Sequence, residues 1–205
     1  MRWLNLVTPP AEAVEPVTLT EAKAHLRIDA DITTYDQLVT DLIVAARERA
    51  ELETNRQLLT AGYQLVMDAF PCGPIELPRP PLQSVTAVTY VDAGGLTQTW
   101  SSSLYQQLAP RGPFAGRGLL MPVYGEIYPV TRPETLAAVT VAFTAGYGLA
   151  ATTVPRSIRQ ACLLMIGDWF RMPEQMVIGE NAFAFPLPVG AAALLRPFKS
   201  EPLQW

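Results

Sequence analysis

The sequence predicts an α+β fold: an N-terminal helical pair and a C-terminal helix packed as a small bundle, with an inserted antiparallel β section and extended N- and C-terminal arms. Three observations predict it. Apolar residues recur at helical spacing through 18–54 and again through 155–170. Between those stretches, from about 63 to 143, the period falls to two. The 19 prolines gather in clusters, several of them at the two ends, where a fixed φ and a missing donor favour extended chain. The expected organisation is an arm over 1–16, one domain over 17–170 and a tail over 171–205.

Within the arm, Pro9, Pro10 and Pro16 enforce extension, and Trp3, Leu4, Leu6 and Val7 make it apolar enough to dock on something. Thr18 and Glu21 then form T-x-x-E, the capping box in which each side chain satisfies the other residue's free backbone N–H. Leu19, Ala22 and Leu26 follow at helical spacing with Glu21, Lys23 and Arg27 turned outward, giving a helix over about 18–28 that stops near Asp29–Asp31. A second helix is expected over 34–54. Leu38, Leu42, Ala45 and Leu52 form its stripe, widened by Val39, Ile43 and Ala46, and Asn55 is a left-handed stop.

The β section has candidate strands at 63–70, 75–77, 84–92, 96–100, 105–109 and 136–143. Ala93–Gly95 is the hairpin turn between two of them. The run 77–82, LPRPPL, reads as a polyproline-like link and 110–118 as an exposed loop. A third helix over 155–170 begins with Pro155 in its first turn and buries Ile158, Cys162, Met165 and Trp169. The tail is extended apart from one short helix, VGAAALLRPF, at 189–198.

Composition narrows the function. The net charge is −4 and the pI about 5.0, with no basic stripe, whereas gripping DNA requires many Lys and Arg to neutralise phosphates. Cys72 and Cys162 lack CxxC spacing and form no zinc framework; both are expected buried as small apolar residues. The start MRWLNLVTPP is too short for a signal peptide. The uncharged stretches 135–155 and 181–195 are broken by Gly and Pro and fall short of the run of about 20 apolar residues that spans a membrane. The expectation is a soluble protein made in the cytoplasm.

No catalytic set stands out. His25 is the one imidazole, on a short helix with no nucleophile nearby, and reads as structural. Asp29, Asp31 and Asp36 lack the spacing, Gly and terminal Glu of an EF-hand loop and read as helix-end carboxylates. GPFAGRG has glycines but no GK[ST] and reads as a loop. PRPP reads as turn or edge prolines, although such runs also suit SH3-like partners. A small enzyme using Asp68, Asp92 or Tyr105 in the β section is the competing class. No cofactor is expected. What stands out is apolar material at the ends: Trp3 and Leu4 on the arm, and Phe183, Phe185, Leu187, Leu194, Leu195, Phe198 and Trp205 on the tail. Left exposed, such a tail would aggregate, so it packs on its own core or on a partner.

The order of the pieces resembles a known family. EPVTLTEAKAHLRID, a long helix ending ETNRQL, IELPRPPLQSVTAVTYVDAGG, VTVAFTAGYG, VPRSIRQACLLMIGDWF and the closing VGAAALLRPF are together similar to tailed-phage head–tail connector proteins of the gp6-like or phiE125 gp8 type, over most of 15–198. Asn55 stands where that pattern has Gly, and the segment RMPEQMVIGENAFAFPLP is less familiar. The resemblance implies a virion protein, not an enzyme: a ring subunit, twelve-fold under the portal protein, that extends the DNA channel and contacts neighbouring copies and the next neck or tail protein (a stopper or tail terminator). DNA would pass through without specific binding, and no membrane is involved. A stopper or tail-completion protein is the near alternative. Leu194, Leu195, Arg196, Pro197, Phe198 and Trp205 are the expected portal-binding residues. Trp3, Leu4, Phe183 and Phe185 are the expected inter-subunit contacts.

Overall fold

The computed structural model describes residues 1–11, 14–171 and 187–201. The chain divides into two compact units, one of Met1–Ala11, Asn55–Tyr147 and Ser200–Trp205, the other of Glu12–Thr54 and Gly148–Lys199. The predicted α+β architecture is present, with helices on both sides in sequence of an inserted antiparallel β section.

In the helical unit, α1 (Leu19–Leu26) begins with the predicted capping box: Thr18 accepts from the Glu21 N–H, and the Glu21 carboxylate accepts from the Thr18 N–H. Its stop differs from expectation. Arg27 takes a left-handed conformation, φ 60°, and the cation there suits the negative end of the helix. Lys23 also differs, being 5% exposed. Its ammonium donates to the carbonyls of Ala30 (3.1 Å) and Ile32 (2.7 Å) and to Asp36 Oδ1 (2.8 Å). These bonds tie the 28–36 connection to α1.

α2 (Asp36–Thr54) packs through Val39, Ile43, Ala46, Ala50 and Thr54. The expected stripe is met on its widened side, where Val39, Ile43 and Ala46 are buried, but its centre line of Leu38, Leu42, Ala45 and Leu52 is out of phase with the core: Leu38 is 47% and Leu52 64% exposed. α3 (Arg156–Arg171) buries Ile158, Ala161, Cys162, Met165 and Ile166 as its period predicts, with Trp169 half-buried. α4 (Val189–Leu195) and a 3-10 turn (Arg196–Phe198) pack on α3 through Ala191, Leu195 and Phe198. Arg159 on α3 donates to the Pro16 carbonyl at 2.8 Å and pairs with Glu21, fixing α3 to the start of α1.

The β unit holds two antiparallel sheets. The five-stranded sheet has the order β1 (Arg2–Thr8), β2 (Ala61–Met67), β8 (Val139–Ala145), β4 (Leu82–Val91), β5 (Thr97–Thr99); the other has β3 (Ile75–Leu77), β7 (Gly118–Pro122), β6 (Tyr105–Leu108). The period of two is clearest on β8, where Val139, Val141, Phe143 and Ala145 are buried and the residues between them half-buried. β4 changes register at two points, between Leu82 and Ser84 and between Val85 and Ala87. Irregularities of this kind move side chains between faces, so Leu82 and Val88 are the buried residues of a strand whose sequence alternates differently.

One expectation is corrected here and two are sharpened. The 1–16 arm is extended and docks as expected: over Arg2–Thr8 it is an edge strand, with Trp3 opposite Val66 and Leu4 opposite Leu65. The 77–82 run is not polyproline, because Arg79 has φ 58° and the Pro80–Pro81 bond is cis. A strand, Gly118–Pro122, starts where the loop reading ended. The Ala93–Gly95 hairpin is as predicted, with Gly95 at φ 85° and Val91 paired to Thr97. Gly146 has φ 129°, and a Cβ there would sit 2.5 Å from the Leu59 carbonyl oxygen. Only glycine fits that crossing.

Candidate functional site

The residues with catalytic potential have structural occupations. Asp68 pairs with the Met1 ammonium at 2.7 Å and accepts from the Ala137 N–H, and these two hydrogen bonds hold its carboxyl below the usual range. Asp92 closes the hairpin by accepting from the Leu96 N–H and from Gln98, which lower its carboxyl in the same way. Tyr105 packs at a tilt against Trp100 in an aromatic cluster with Phe70, Tyr90 and Tyr128, and burial raises its phenol. His25 is exposed on α1, its ring against Gly167 of α3. Asp36 holds Lys23, and Asp29 and Asp31 are exposed. Among the described residues no three His, Cys, Asp or Glu group to hold a metal ion, and no helix is long and apolar enough to cross a membrane.

The two cysteines differ. Cys162 is buried on α3, and burial pushes its thiol up to about 12. Cys72 is exposed, against the expectation that both were buried, because it sits in the loop after β2 beside a cleft of about 590 Å³ lined by Pro74, Met121, Tyr124 and Tyr128. A thiolate is the reacting species. Native protein at neutral pH is therefore expected to titrate one thiol with a chromogenic disulfide and the second only after unfolding. Two fast thiols would contradict the burial of Cys162.

The remaining candidate sites are surfaces. Of the expected portal-binding residues, Leu195 is 3% and Phe198 4% exposed, both packed within the helical unit. Leu194 is half-buried, and Arg196 and Pro197 are exposed. The structure thus brings Leu194 to Phe198 together, but as an anchored turn with a small outer face rather than as a free apolar tail. Trp205, Phe183 and Phe185 lie outside the described residues. Trp3 and Leu4 are half-buried on edge strand β1, beside Leu6 and Val7, each 54% exposed.

Carboxylates and cations also shape the helical unit. Arg47 on α2 donates to Glu15 (2.9 Å) and Glu51 (3.2 Å). Burial would lower its guanidinium, but Glu51 and Glu15 outweigh that and raise it, while burial pushes the Glu15 carboxyl up despite Arg47. Glu21 has its carboxyl lowered below 4.5, first by the Thr18 N–H and then by Arg159. A carboxylate with a lowered native pKa stabilises above its unfolded pKa and loses that contribution as pH falls through the native value. The stability advantage of the wild type over Glu21→Gln is therefore expected at pH 7 and should shrink below pH 4.5 in thermal unfolding scans; an advantage that grows in acid would contradict the capping geometry.

Comparison with known proteins places these features in a wider set. Residues 16–91, from the chain entering α1 to the end of β4, match the family model described as "Phage gp6-like head-tail connector protein". No match is found among curated proteins. Three similar solved structures each align over 98% of this chain and 97% of theirs. A chain of the "Neck of empty GTA particle computed with C6 symmetry" has TM-score 0.75 at 24% identity. A chain of the "Virion of native gene transfer agent (GTA) particle" has 0.74 at 23%, and one from the "Neck of native GTA particle computed with C12 symmetry" has 0.70 at 24%. At that identity the likeness is one of fold. Through α1, α2 and the first part of the β section the chain is similar to the gp6-like connector family, and over nearly its whole length it has the fold of these gene-transfer-agent chains.

Proposed function

We propose that this chain is a structural virion protein: a head–tail adaptor whose copies form a twelve-fold ring under the portal protein. The ring extends the DNA channel and presents a surface to the next neck or tail protein. One observation carries the reading. The whole chain, both units included, has the fold of chains from particle necks, one of them from a neck computed with C12 symmetry. The connector-family match over 16–91 supports it from sequence, and so does a net charge of −4, which lets DNA slide past a wall that does not neutralise its phosphates.

The portal-facing patch in this reading is Leu194, Arg196 and Pro197, held outward by the buried Leu195 and Phe198, with Trp205 further along the tail. Trp3, Leu4, Phe183 and Phe185 contact neighbouring copies. The patch is tested by Arg196→Glu with Pro197→Ser in the full chain. Portal binding, measured by sedimentation with purified portal, should weaken at least tenfold while the unfolding midpoint stays put. Undiminished binding removes the patch from the portal interface. Order of addition separates the near alternative: an adaptor binds portal alone, whereas a stopper or tail-completion protein binds only after another neck protein is in place.

A further inference from the structure

α2 has two apolar faces, and the fold uses one. Val39, Ile43, Ala46 and Ala50 are buried in the helical unit. On the opposite side Leu38, Ala45 and Leu52 stand seven residues apart, a spacing that keeps them almost in line along the helix. Leu42, half-buried, lies between the first two, and Arg49, paired with Glu53 at 2.8 Å, between the last two, while Tyr35, just before the helix, sets its ring edge-on against Phe170 of α3. Leu38 and Leu52 are 47% and 64% exposed, and Ala45 is exposed. From Leu38 to Leu52 the seam runs about 21 Å at the helical rise per residue. A helix with one face in a core normally turns polar side chains to solvent on the other. This one turns an a/d-like seam, the pattern that packs against another helical surface.

The charges say which surface. Asp41 and Glu48 border the seam. Among the described residues Asp41 accepts only from Gln37, at 2.9 Å, and Glu48 lies 3.7 Å from an Arg47 guanidinium already held by Glu15 and Glu51. On the other elements of the same unit, Arg27 after α1, Arg156 and Arg171 on α3 and Lys199 after the 3-10 turn are exposed. None of the four has a carboxylate partner among the described residues. One helix therefore presents an apolar seam with acids beside it, and exposed cations without a carboxylate partner among the described residues lie at the ends of α1 and α3 and after the 3-10 turn, alongside the acids Glu21, Asp29, Asp31 and Asp168. Two different, mutually complementary faces on one unit are what a head-to-tail contact between identical copies requires.

We propose that the α2 seam is a further copy-to-copy face, beside the contacts of Trp3, Leu4, Phe183 and Phe185, and that it packs against the exposed helix-end cations of the helical unit of a second copy of this chain. The assignment rests on the ring reading above and adds a face that closes the ring. It is tested with full-length Leu38→Glu/Leu52→Glu, whose substituted positions are exposed. Copies bound per portal are counted by mass photometry. The wild type should fill the portal cooperatively. The double variant, with an unchanged unfolding midpoint, should bind sparsely and need at least tenfold more protein for any given occupancy. Filling identical to wild type overturns the seam, and loss of even single-copy binding assigns it to the portal instead. A wild type that never binds portal overturns the ring reading separately. Independently of all these outcomes, a photo-crosslinker replacing Ala45 in assembled particles should join to α1, α3 or the 189–199 region of another copy. Crosslinks to another protein, or none, reject the inference even if the double variant misfolds.

Discussion

Truncation after Arg171 is expected to unfold the helical unit, not merely to remove a binding tail. Of the two fates the sequence leaves open for this apolar end, its own core or a partner, the core takes Ala191, Leu195 and Phe198, which are buried against α3 and its neighbours. Large-to-small changes at such positions cost about 2–5 kcal/mol for Leu and about 3–5 for Phe, and whole domains are stable by only about 5–15 kcal/mol. Removing both side chains with the α4 backbone therefore approaches the whole stability of the unit. Circular dichroism of the truncated chain should show lost helix and a much lower unfolding midpoint. Single substitutions separate the roles: Leu195→Ala and Phe198→Ala should lower the midpoint, whereas Arg196→Glu should not. A truncated chain that melts with the wild type would mean that Leu195 and Phe198 are not core residues.

Lys23→Ala is expected to cost about 2 kcal/mol: two carbonyls lose their donor, while Asp36, whose side chain is a third exposed, regains water and so escapes the full penalty of a buried unpaired charge. The substitution leaves the Ala30 and Ile32 carbonyls and the Asp36 carboxylate without the ammonium that all three face. Most of the loss should appear locally, as faster amide hydrogen exchange from Ile28 to Asp36, with the global shift following in urea unfolding. Asp36→Asn should cost less, since the two carbonyl contacts survive. A change under about 1 kcal/mol for Lys23→Ala would show that the 28–36 connection is held by something else.

These two sites show how far the sequence could be read. Thr18 and Glu21 announced α1 because a capping box is local chemistry, complete within four residues. Ile158, Cys162 and Met165 gave the buried face of α3 because that helix has a single dominant apolar side. α2 yields its phase only in part: with apolar residues on two faces, periodicity centres the stripe on Leu38, Leu42, Ala45 and Leu52 with Val39, Ile43 and Ala46 beside it, whereas the core is centred on Val39, Ile43, Ala46 and Ala50. Lys23 was placed in solvent because its partners, two carbonyls in the next connection, leave no mark in the pattern. Trp3 and Leu4 were legible as adhesive but not as an edge strand, since nothing within 1–16 says that 61–67 is the other half of the pair. The Leu194–Phe198 stretch was legible as apolar and purposeful. Its division into inward Leu195 and Phe198 and outward Arg196 and Pro197 depends on α3, which the local sequence does not contain.

The most direct test of the account is the location of the chain in the assembled particle. Cryo-electron microscopy of the neck, reconstructed without imposed symmetry, should show twelve copies in a closed ring against the portal, as the proposed adaptor role requires, with DNA or an open channel through the centre. The same chain found at a distal tail position, in a single copy, or absent from purified particles would contradict the adaptor reading.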